Sequence, residues 1–258
     1  MWEPLPVPID LGPPCPMIVR AESLPPRHCF PEHAHDWNQL VHAISGVLTV
    51  TVEGSCFAIS PEQAVWLPSG TRHRVGSLLG SEFRSLWIAE DAGAEVADVS
   101  TVFRVSPLLR ALIIEAAEIQ GRDDATGYPD RVTDLILDQL RRAEPLPAAL
   151  PWPRQGPLLK LCEALYADPS DARGVEEWGK LLGMSGRTLA RRFEEEVGMS
   201  LRTWRRRLRL FKAIELLAGD RSITEVALEL GYGSSSAFTY AFRTEMGRSP
   251  QAHRLGSK

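Results

Sequence analysis

The sequence predicts a two-domain α+β protein, in which a β-barrel with a helical hairpin precedes an all-α domain. Residues 17–88 consist of short β-prone runs separated by turn residues, a texture typical of a sandwich or small barrel. Residues 158–254 instead place apolar residues at helical spacing. A length of 258 residues is sufficient for two domains that each bury their own core.

Charge is divided unevenly along the chain. From residue 170 onward, 16 Lys and Arg residues stand against 11 Asp and Glu residues, a net charge of +5. The preceding residues have 13 against 22, a net charge of −9, so the formal total of −4 conceals the difference. A basic domain attached to an acidic one is typical of a nucleic-acid-binding domain joined to a domain that has another function.

Composition also bears on the compartment of the protein. The four cysteines contain no C-x-x-C pair, which indicates reduced thiols and not a disulfide framework. No apolar run reaches the length of a membrane span, and the proline-rich start lacks the layout of a signal peptide. We therefore expect a cytoplasmic protein with no membrane partner.

The N-terminal half begins with an extended, proline-rich lead-in at residues 1–16. Short strands are expected next, clearest at residues 40–44, 48–52, 56–59, 64–67 and 83–88. Two helices follow within residues 107–142, and they form either a dimer surface or a layer packed on the barrel. Residues 17–143 are therefore expected to form one domain, with the helical pair as a candidate dimer surface. A proline-rich linker at residues 144–157 separates it from the C-terminal domain at 158–258.

Three histidines and a glutamine in the β-rich region are candidate metal ligands. His33 and His35 are two residues apart, so on a strand their side chains face the same side. With His73 and the amide oxygen of Gln39 they supply an N₃O donor set suited to Zn²⁺, Ni²⁺ or Fe²⁺. Binding needs neutral imidazoles and should weaken as the pH falls through roughly 6.5. The alternative is a metal-free pocket for a small molecule, and His42 is interpreted as a core-edge residue.

These residues resemble the two sequence motifs of the cupin superfamily. The matching residues are His33-Ala34-His35, Asp36 and Gly46 in the first motif, and Pro68-Ser69-Gly70-Thr71-Arg72-His73 in the second. The resemblance covers about residues 31–77 and implies a barrel with a metal or ligand site in its mouth. Gln39 stands where the family usually has a glutamate. A neutral amide removes one negative charge from the site, so it binds a divalent cation more weakly than a carboxylate.

Residues 175–250 contain one pattern twice: a short helix, a glycine turn and a second helix with apolar anchors. The equivalent positions are Gly179 and Ala227, Gly183 and Gly231, Phe193 and Phe242, and Gly198 and Gly247. A turn glycine, with a small residue four positions earlier, lets two helices cross closely, as a helix-turn-helix requires. Residues 201–218 join the two units as a helix with a cationic face. Its basic residues are Arg202, Arg205, Arg206, Arg207, Arg209 and Lys212.

The C-terminal domain resembles the DNA-binding domain of AraC-type transcription regulators from end to end. The matching residues are Gly183-Met184-Ser185, Arg187-Thr188-Leu189, Arg191-Arg192-Phe193, Ile223-Thr224, Val226-Ala227, Gly231-Tyr232, Ser236-Ala237-Phe238, Phe242, Gly247 and Ser249-Pro250. A cupin-like sensor preceding such a domain is the usual order in this family. The resemblance implies binding to double-stranded DNA, an effector, a homodimer, and contact with RNA polymerase as an activator.

Helical periodicity predicts which residues of the second helix in each helix-turn-helix unit face the DNA. Leu189 and Phe193 face the core, which leaves Arg187 and Arg191 together on the outer face. An arginine on this face can form two hydrogen bonds with a guanine base. The residues expected to face bases are Arg187, Ala190, Arg191, Ser235, Ser236, Thr239 and Tyr240, and those expected at the DNA backbone are Arg205, Arg206 and Arg243. Because its outer face has hydroxyls and no arginine, the second unit should discriminate bases weakly. Trp178 and Trp204 are expected in the core.

We therefore expect a sequence-specific DNA-binding transcription regulator, without catalytic residues, whose cupin-like domain senses a small molecule or a metal. One alternative is a cupin enzyme fused to a DNA-binding domain, and Gln39 in place of glutamate weighs against redox catalysis there. Another alternative is constitutive DNA binding with a purely structural barrel, in which no small molecule changes the DNA affinity.

Overall fold

The computed structural model describes residues 2–7, 12–121, 126–146, 150–153, 156–217 and 219–256. The chain divides into two compact units. The first comprises Met1–Val52 and Phe57–Ala148, and the second comprises Glu53–Cys56 and Ala149–Lys258. The first unit is rich in strands and the second in helices, which confirms the predicted fold class.

The described residues of the first unit form two sheets. Its strands are β1 (Glu3–Pro4), β2 (Met17–Leu24), β3 (His28–His33), β4 (Asn38–Gly46), β5 (Leu48–Val52), β6 (Ser55–Ile59), β7 (Gln63–Leu67), β8 (His73–Ser77), β9 (Ser81–Ile88), β10 (Thr101–Arg104) and β11 (Pro145–Leu146). One sheet has the order β1-β3-β8-β5-β6, and the other has the order β11-β10-β7-β4-β9-β2. β3 pairs antiparallel with β8, and β4 pairs antiparallel with both β7 and β9.

In the described part of the first unit there are three helices: α1 (Glu90–Gly93), α2 (Pro107–Ile119) and α3 (Tyr128–Arg141). The inner faces of α2 and α3 pack on the sheet that contains β4, with Ile113 and Ile136 in one buried cluster with Leu40 and Trp66. This sheet is therefore covered on its outer side, which explains why β4 is buried along most of its length. The expectation that the hairpin packs on its own barrel is correct for these faces.

The start of the chain and the linker are more ordered than the sequence suggests. Glu3 and Pro4 pair in parallel with β3, although residues 1–16 were expected only to be extended. In the linker, Pro145–Leu146 forms β11, the outermost strand of its sheet. Proline is compatible with an edge strand because its missing N–H is not needed there. Pro147 of the linker and residues 8–11 of the lead-in lie outside the described residues.

The second unit contains a short strand and seven helices within the described residues. These elements are β12 (Leu150–Pro151), α4 (Gly156–Ala167), α5 (Val175–Leu181), α6 (Gly186–Val197), α7 (Leu201–Leu217), α8 (Ile223–Glu229), α9 (Ser235–Met246) and α10 (Pro250–Gly256). β12 pairs antiparallel with Ser55 and Cys56. The predicted basic helix is α7, and its expected last residue, Ala218, lies outside the described residues. No helix in the described ranges combines the length and the apolarity needed to cross a membrane.

The pairs α5–α6 and α8–α9 are two helix-turn-helix units. Their turn glycines, Gly183 and Gly231, have positive φ values of 70° and 74°, a conformation that favours glycine. Ser185 and Ser234 begin the second helix of each unit, and each hydroxyl accepts a hydrogen bond from the main-chain N–H three residues later. Phe193 and Phe242 are fully buried, so the predicted repeat is present in the fold.

Candidate functional sites

Three imidazoles gather at one end of the β3–β8 pair. His33 ends β3 and lies opposite His73, the first residue of β8. His35 lies beyond the end of β3, in the loop before β4. One ring nitrogen from each of the three histidines lies within 4.8 Å of the other two. His35 reaches the cluster through a loop, so the expectation that strand alternation brings it beside His33 is wrong.

Main-chain carbonyls set the tautomer of all three rings. The Nδ1 atoms of His33, His35 and His73 lie 2.8, 2.9 and 2.8 Å from the carbonyl oxygens of Pro31, Trp37 and Thr71. A carbonyl only accepts hydrogen bonds, so each Nδ1 must carry the proton. Each neutral ring then has its lone pair on Nε2. An Nδ1–H bonded to a carbonyl is the usual support of a histidine that ligates a metal through Nε2.

Burial keeps two of the rings neutral. It lowers the pKa of His73 to about 3, although the hydrogen bond to Thr71 acts in the opposite direction. Burial also lowers the pKa of His33. These two imidazoles therefore stay unprotonated below the ordinary histidine pKa. Protons should therefore compete with a metal ion for these two rings only at a pH below roughly 6.5, which is the pKa of an unperturbed histidine.

The side chain of Gln39 lies between His35 and Ser85. Its amide oxygen Oε1 lies 3.0 Å from His35 Nε2, and its amide nitrogen donates to Ser85 Oγ at 2.6 Å. Trp87 donates from Nε1 to the same Ser85 oxygen at 3.1 Å. The amide oxygen of Gln39 therefore already faces the histidine cluster, and its –NH₂ group is held by Ser85.

His33 and His35 open, with Gln39 and Ser85, on a small cavity in the barrel. Its volume is about 30 Å³, which leaves room only for a small group. The other lining residues are Val7, Arg20, Glu22, Phe30, Trp37, Val75, Phe83 and Trp87. Arg20 forms an ion pair with Glu22 at 2.7 Å, and its guanidinium lies 4.8 Å from the centroid of the Trp87 ring. The motif residues are therefore combined with side chains from β2 and β9 that no sequence motif identified.

The residues at this site fit a divalent metal ion. His73 Nε2 is buried without a hydrogen-bond partner among the described residues, and an acceptor left in this state is costly unless a cation occupies the position. Three Nε2 lone pairs and one amide oxygen are donors of the type that borderline divalent ions accept. His42 is not part of this group, because it is fully buried and its Nδ1 donates to the carbonyl of Gln63 at 2.9 Å. It is thus a core residue, and not one at the edge of the core.

In the first helix-turn-helix unit, the two expected arginines are on the solvent side of α6. Leu189 and Phe193 are fully buried, whereas Arg187 and Arg191 are exposed and Ala190 is half-buried between them. Arg191 forms an ion pair with Glu195 at 2.8 Å, with about 60% of both side chains exposed. A surface pair of this kind contributes little to stability, so the guanidinium can exchange partners readily.

In the second unit, the outer face of α9 has the expected hydroxyls. Ser236 is exposed, Ser235 and Thr239 are half-buried, and Tyr240 is 74% exposed. Phe238 and Phe242 on the opposite face are fully buried. A tyrosine this exposed, on a helix whose inner face is well packed, has little structural role of its own.

The three arginines expected at the DNA backbone have different surroundings. Arg205 is half-buried and donates to the main-chain carbonyls of Asp171 and Arg173, which connects α7 to the loop before α5. Arg206 forms an ion pair with Glu245, and Arg243 is exposed. Arg202 and Arg209 belong to the predicted cationic face of α7 but were not among the residues expected at the DNA backbone. They line a groove of about 520 Å³ with Arg205, Arg206 and Tyr232.

Comparison with known proteins identifies both halves of the chain. A cupin domain family matches residues 21–89, and a helix-turn-helix domain family matches residues 178–255. The HTH-type transcriptional regulator NimR of Escherichia coli K12 is 30% identical over 220 residues, which cover 85% of this chain and 80% of NimR. The HTH-type transcriptional activator RhaS of Shigella flexneri is 26% identical over 269 residues, which cover 96% of each chain. RipA of Corynebacterium glutamicum is 36% identical over 107 residues, which cover 42% of this chain and 32% of RipA.

These matches coincide with the two sites. The cupin match includes His33, His35, Gln39 and His73, and the helix-turn-helix match includes both α6 and α9. The first unit is accordingly a cupin-type ligand-binding domain, and the second is a DNA-binding domain. The relatives are named as transcriptional regulators. The chain belongs to the AraC-type family of transcription regulators and combines a cupin sensor with a double helix-turn-helix DNA-binding domain.

Proposed function

We propose that this regulator senses a divalent metal ion, alone or with a bound ligand, through His33, His35, His73 and the amide oxygen of Gln39. The supporting observation is the shared tautomer of the three histidines, which leaves three Nε2 lone pairs facing a common point. Zn²⁺, Ni²⁺ and Fe²⁺ match this donor set. Gln39 provides no negative charge to stabilise an oxidised metal, which supports a sensor and not an enzyme.

In this proposal the effector changes the DNA affinity because it binds one arrangement of the two domains more tightly than another. Residues 17–143 act as sensor, residues 144–157 connect, and residues 158–258 bind DNA. Leu108 on α2 and Leu135 on α3, which are 53% and 48% exposed, are candidates for a homodimer surface. The protein would act in the cytoplasm, and as an activator it would contact RNA polymerase.

Elemental analysis of protein purified without a histidine tag tests the metal. We expect about one divalent ion per chain in the wild type and a large loss in His35→Ala and His73→Ala. His28→Ala is a matched control, because His28 also donates to a main-chain carbonyl, that of Pro26, but lies outside the cluster. DNA affinity is then measured with and without a chelator.

Two results would change the proposal. Trace metal that is equal in wild type and variants would favour an organic ligand in the cavity lined by Trp37 and Trp87, without metal. Stoichiometric metal whose removal leaves the DNA affinity unchanged would make the site structural, and the sensing role would then be wrong.

For the DNA-binding domain, we propose that Arg187 and Arg191 contact bases and that Ala190, Ser235, Ser236, Thr239 and Tyr240 complete the two base-facing surfaces. Arg243, which is exposed, is proposed to contact phosphate, as are Arg205 and Arg206 if they exchange their present partners. The exposed outer faces of α6 and α9, opposite fully buried phenylalanines, support this assignment.

Arg187→Ala and Arg191→Ala should each cost about 1–3 kcal/mol of binding free energy on the cognate site, the range for a bidentate arginine–guanine contact. Affinities on cognate and scrambled DNA are compared for each variant, and Glu195→Ala reports the effect of losing only the ion pair with Arg191. An equal loss on both DNA molecules would assign the arginines to phosphate instead.

A further inference from the structure

The donor set of the cupin site is electrically neutral. Three imidazoles and an amide supply no negative charge, because Gln39 occupies the position where a carboxylate is usual. A divalent ion held by these four groups therefore keeps its full charge of +2. Such a charge inside a protein cavity is costly unless an anion balances it.

Among the residues that the structure describes, the surroundings of the site supply no such anion. Among the residues that line the cavity, Arg20 and Glu22 are the charged ones, and they neutralise each other in their ion pair at 2.7 Å. Ser85 and Trp87, which support Gln39, are both neutral. Two carboxylates that are close to the histidines in the sequence do not line the cavity. Asp36 is exposed and does not line the cavity, and Glu32 pairs with Arg72 at 2.9 Å on the surface.

We infer that Gln39 makes the metal-loaded site a receptor for a small carboxylate, which completes the coordination of the ion and balances its charge. This inference rests on the proposed metal function and specifies the chemical class of the effector. A carboxylate oxygen is a good ligand for a borderline divalent ion. A neutral donor set leaves the ion with more attraction for that oxygen than a set already containing glutamate would.

A second observation supports a polar ligand in the cavity. Trp37 lines it, and the Trp37 indole N–H is buried without a hydrogen-bond partner among the described residues. An indole N–H is a donor only, so an acceptor atom of a ligand would satisfy it. A carboxylate has two oxygens and can ligate the ion with one while it accepts from Trp37 with the other. The cavity of about 30 Å³ restricts the part of the ligand that enters it to a small group.

The test separates affinity for metal from affinity for the anion, on the full-length protein. Zn²⁺ affinity is measured by competition with a chromophoric chelator in wild type and Gln39→Glu. Acetate affinity of the Zn²⁺-loaded proteins is then measured by calorimetry, with acetamide as the neutral isostere. Gln251→Glu, at an exposed position outside the cavity, is the matched charge control.

We expect the two affinities to move in opposite directions. Gln39→Glu should bind Zn²⁺ more tightly than the wild type but acetate at least about tenfold more weakly, because the added carboxylate supplies the missing charge. Trp37→Phe should weaken acetate binding several-fold without changing the Zn²⁺ affinity. Acetamide should not bind measurably, and Gln251→Glu should match the wild type in both titrations.

The outcomes distinguish this inference from the proposed function. Wild-type protein that binds Zn²⁺ but binds acetate no better than Gln39→Glu does would overturn the anion receptor and leave the metal sensor standing. Failure of the wild type to bind Zn²⁺, Ni²⁺ or Fe²⁺ in the first titration would overturn both. A thermal transition measured on each variant shows whether it is folded. If Gln39→Glu is unfolded, the comparison of acetate with acetamide on the wild type and Trp37→Phe decides alone.

Discussion

At the scale of single residues, His33, His35 and His73 each obtain their tautomer from a carbonyl two positions away in the chain. The partner precedes the histidine for His33 and His73 but follows it for His35. Motif spacing predicted which rings meet, and the loop conformation determined which nitrogen faces the common point. The role of Gln39 likewise depends on Ser85, a residue 46 positions away that no motif marks.

His42 makes the stability of the first unit depend on pH. Burial lowers the pKa of His42 to about 4, despite the opposing effect of its hydrogen bond to Gln63. In the unfolded chain the pKa is about 6.5, so between pH 4 and 6.5 the unfolded state binds more protons than the folded state. Stability is therefore fully present above pH 6.5 and is lost as the pH falls. This residue alone should lower the free energy of unfolding by about 2 kcal/mol between pH 7.5 and 5.

Urea unfolding of wild type and His42→Gln at these two pH values measures the effect. Glutamine retains a donor for the Gln63 carbonyl but has no titrating group. The variant should therefore lose less stability on acidification than the wild type, and His73, whose pKa is also lowered by burial, contributes equally to both proteins. Identical pH dependence in the two proteins would show that His42 has the same pKa in the folded and the unfolded state.

At the scale of elements, the close crossing of α5 and α6 depends on Gly179. A Cβ atom at this position would lie 2.8 Å from the Met184 carbonyl oxygen and 2.9 Å from the Gly186 nitrogen. Both atoms belong to the backbone, so relief requires the two helices to separate. In the second unit Ala227 fills the equivalent position and is fully buried.

Gly179→Ala should destabilise the DNA-binding domain by about 1–3 kcal/mol, as expected for overpacking against backbone. Gly233→Ala is the matched control, because a Cβ there meets no heavy atom within 4 Å and no positive φ is involved. Thermal unfolding and DNA affinity are measured on both variants. If Gly179→Ala were as stable as Gly233→Ala, the helices could move apart at little cost, and the glycine would not control the crossing.

At the scale of the whole molecule, α7 determines how far apart the two helix-turn-helix units lie. Its 17 residues span roughly 25 Å at 1.5 Å per residue. With the flanking turns and helices added, α6 and α9 should be separated by about one turn of DNA, ~34 Å. One chain would then enter two successive major grooves on the same face of the duplex.

Hydroxyl-radical footprinting on a cognate site measures this spacing. Two protected regions about 10 base pairs apart on one face are expected for each protein chain. Insertion of five base pairs between the half-sites should abolish simultaneous contact, because it rotates one groove to the opposite face. Insertion of ten base pairs should return both grooves to the same face. Protection of a single groove, or of opposite faces, would contradict the arrangement.

The sequence by itself determined the fold class, the internal repeat and the four cupin side chains. These features depend on local periodicity, on turn glycines at Gly183 and Gly231, and on motif residues close together in the chain. Tertiary structure alone decided three other features: the tautomers at the histidine cluster, the partners of Gln39, and the use of Arg205 as a donor to the carbonyls of Asp171 and Arg173. Each of these depends on which distant polar atoms are brought within hydrogen-bond distance of one another, and composition and spacing contain no information about that distance.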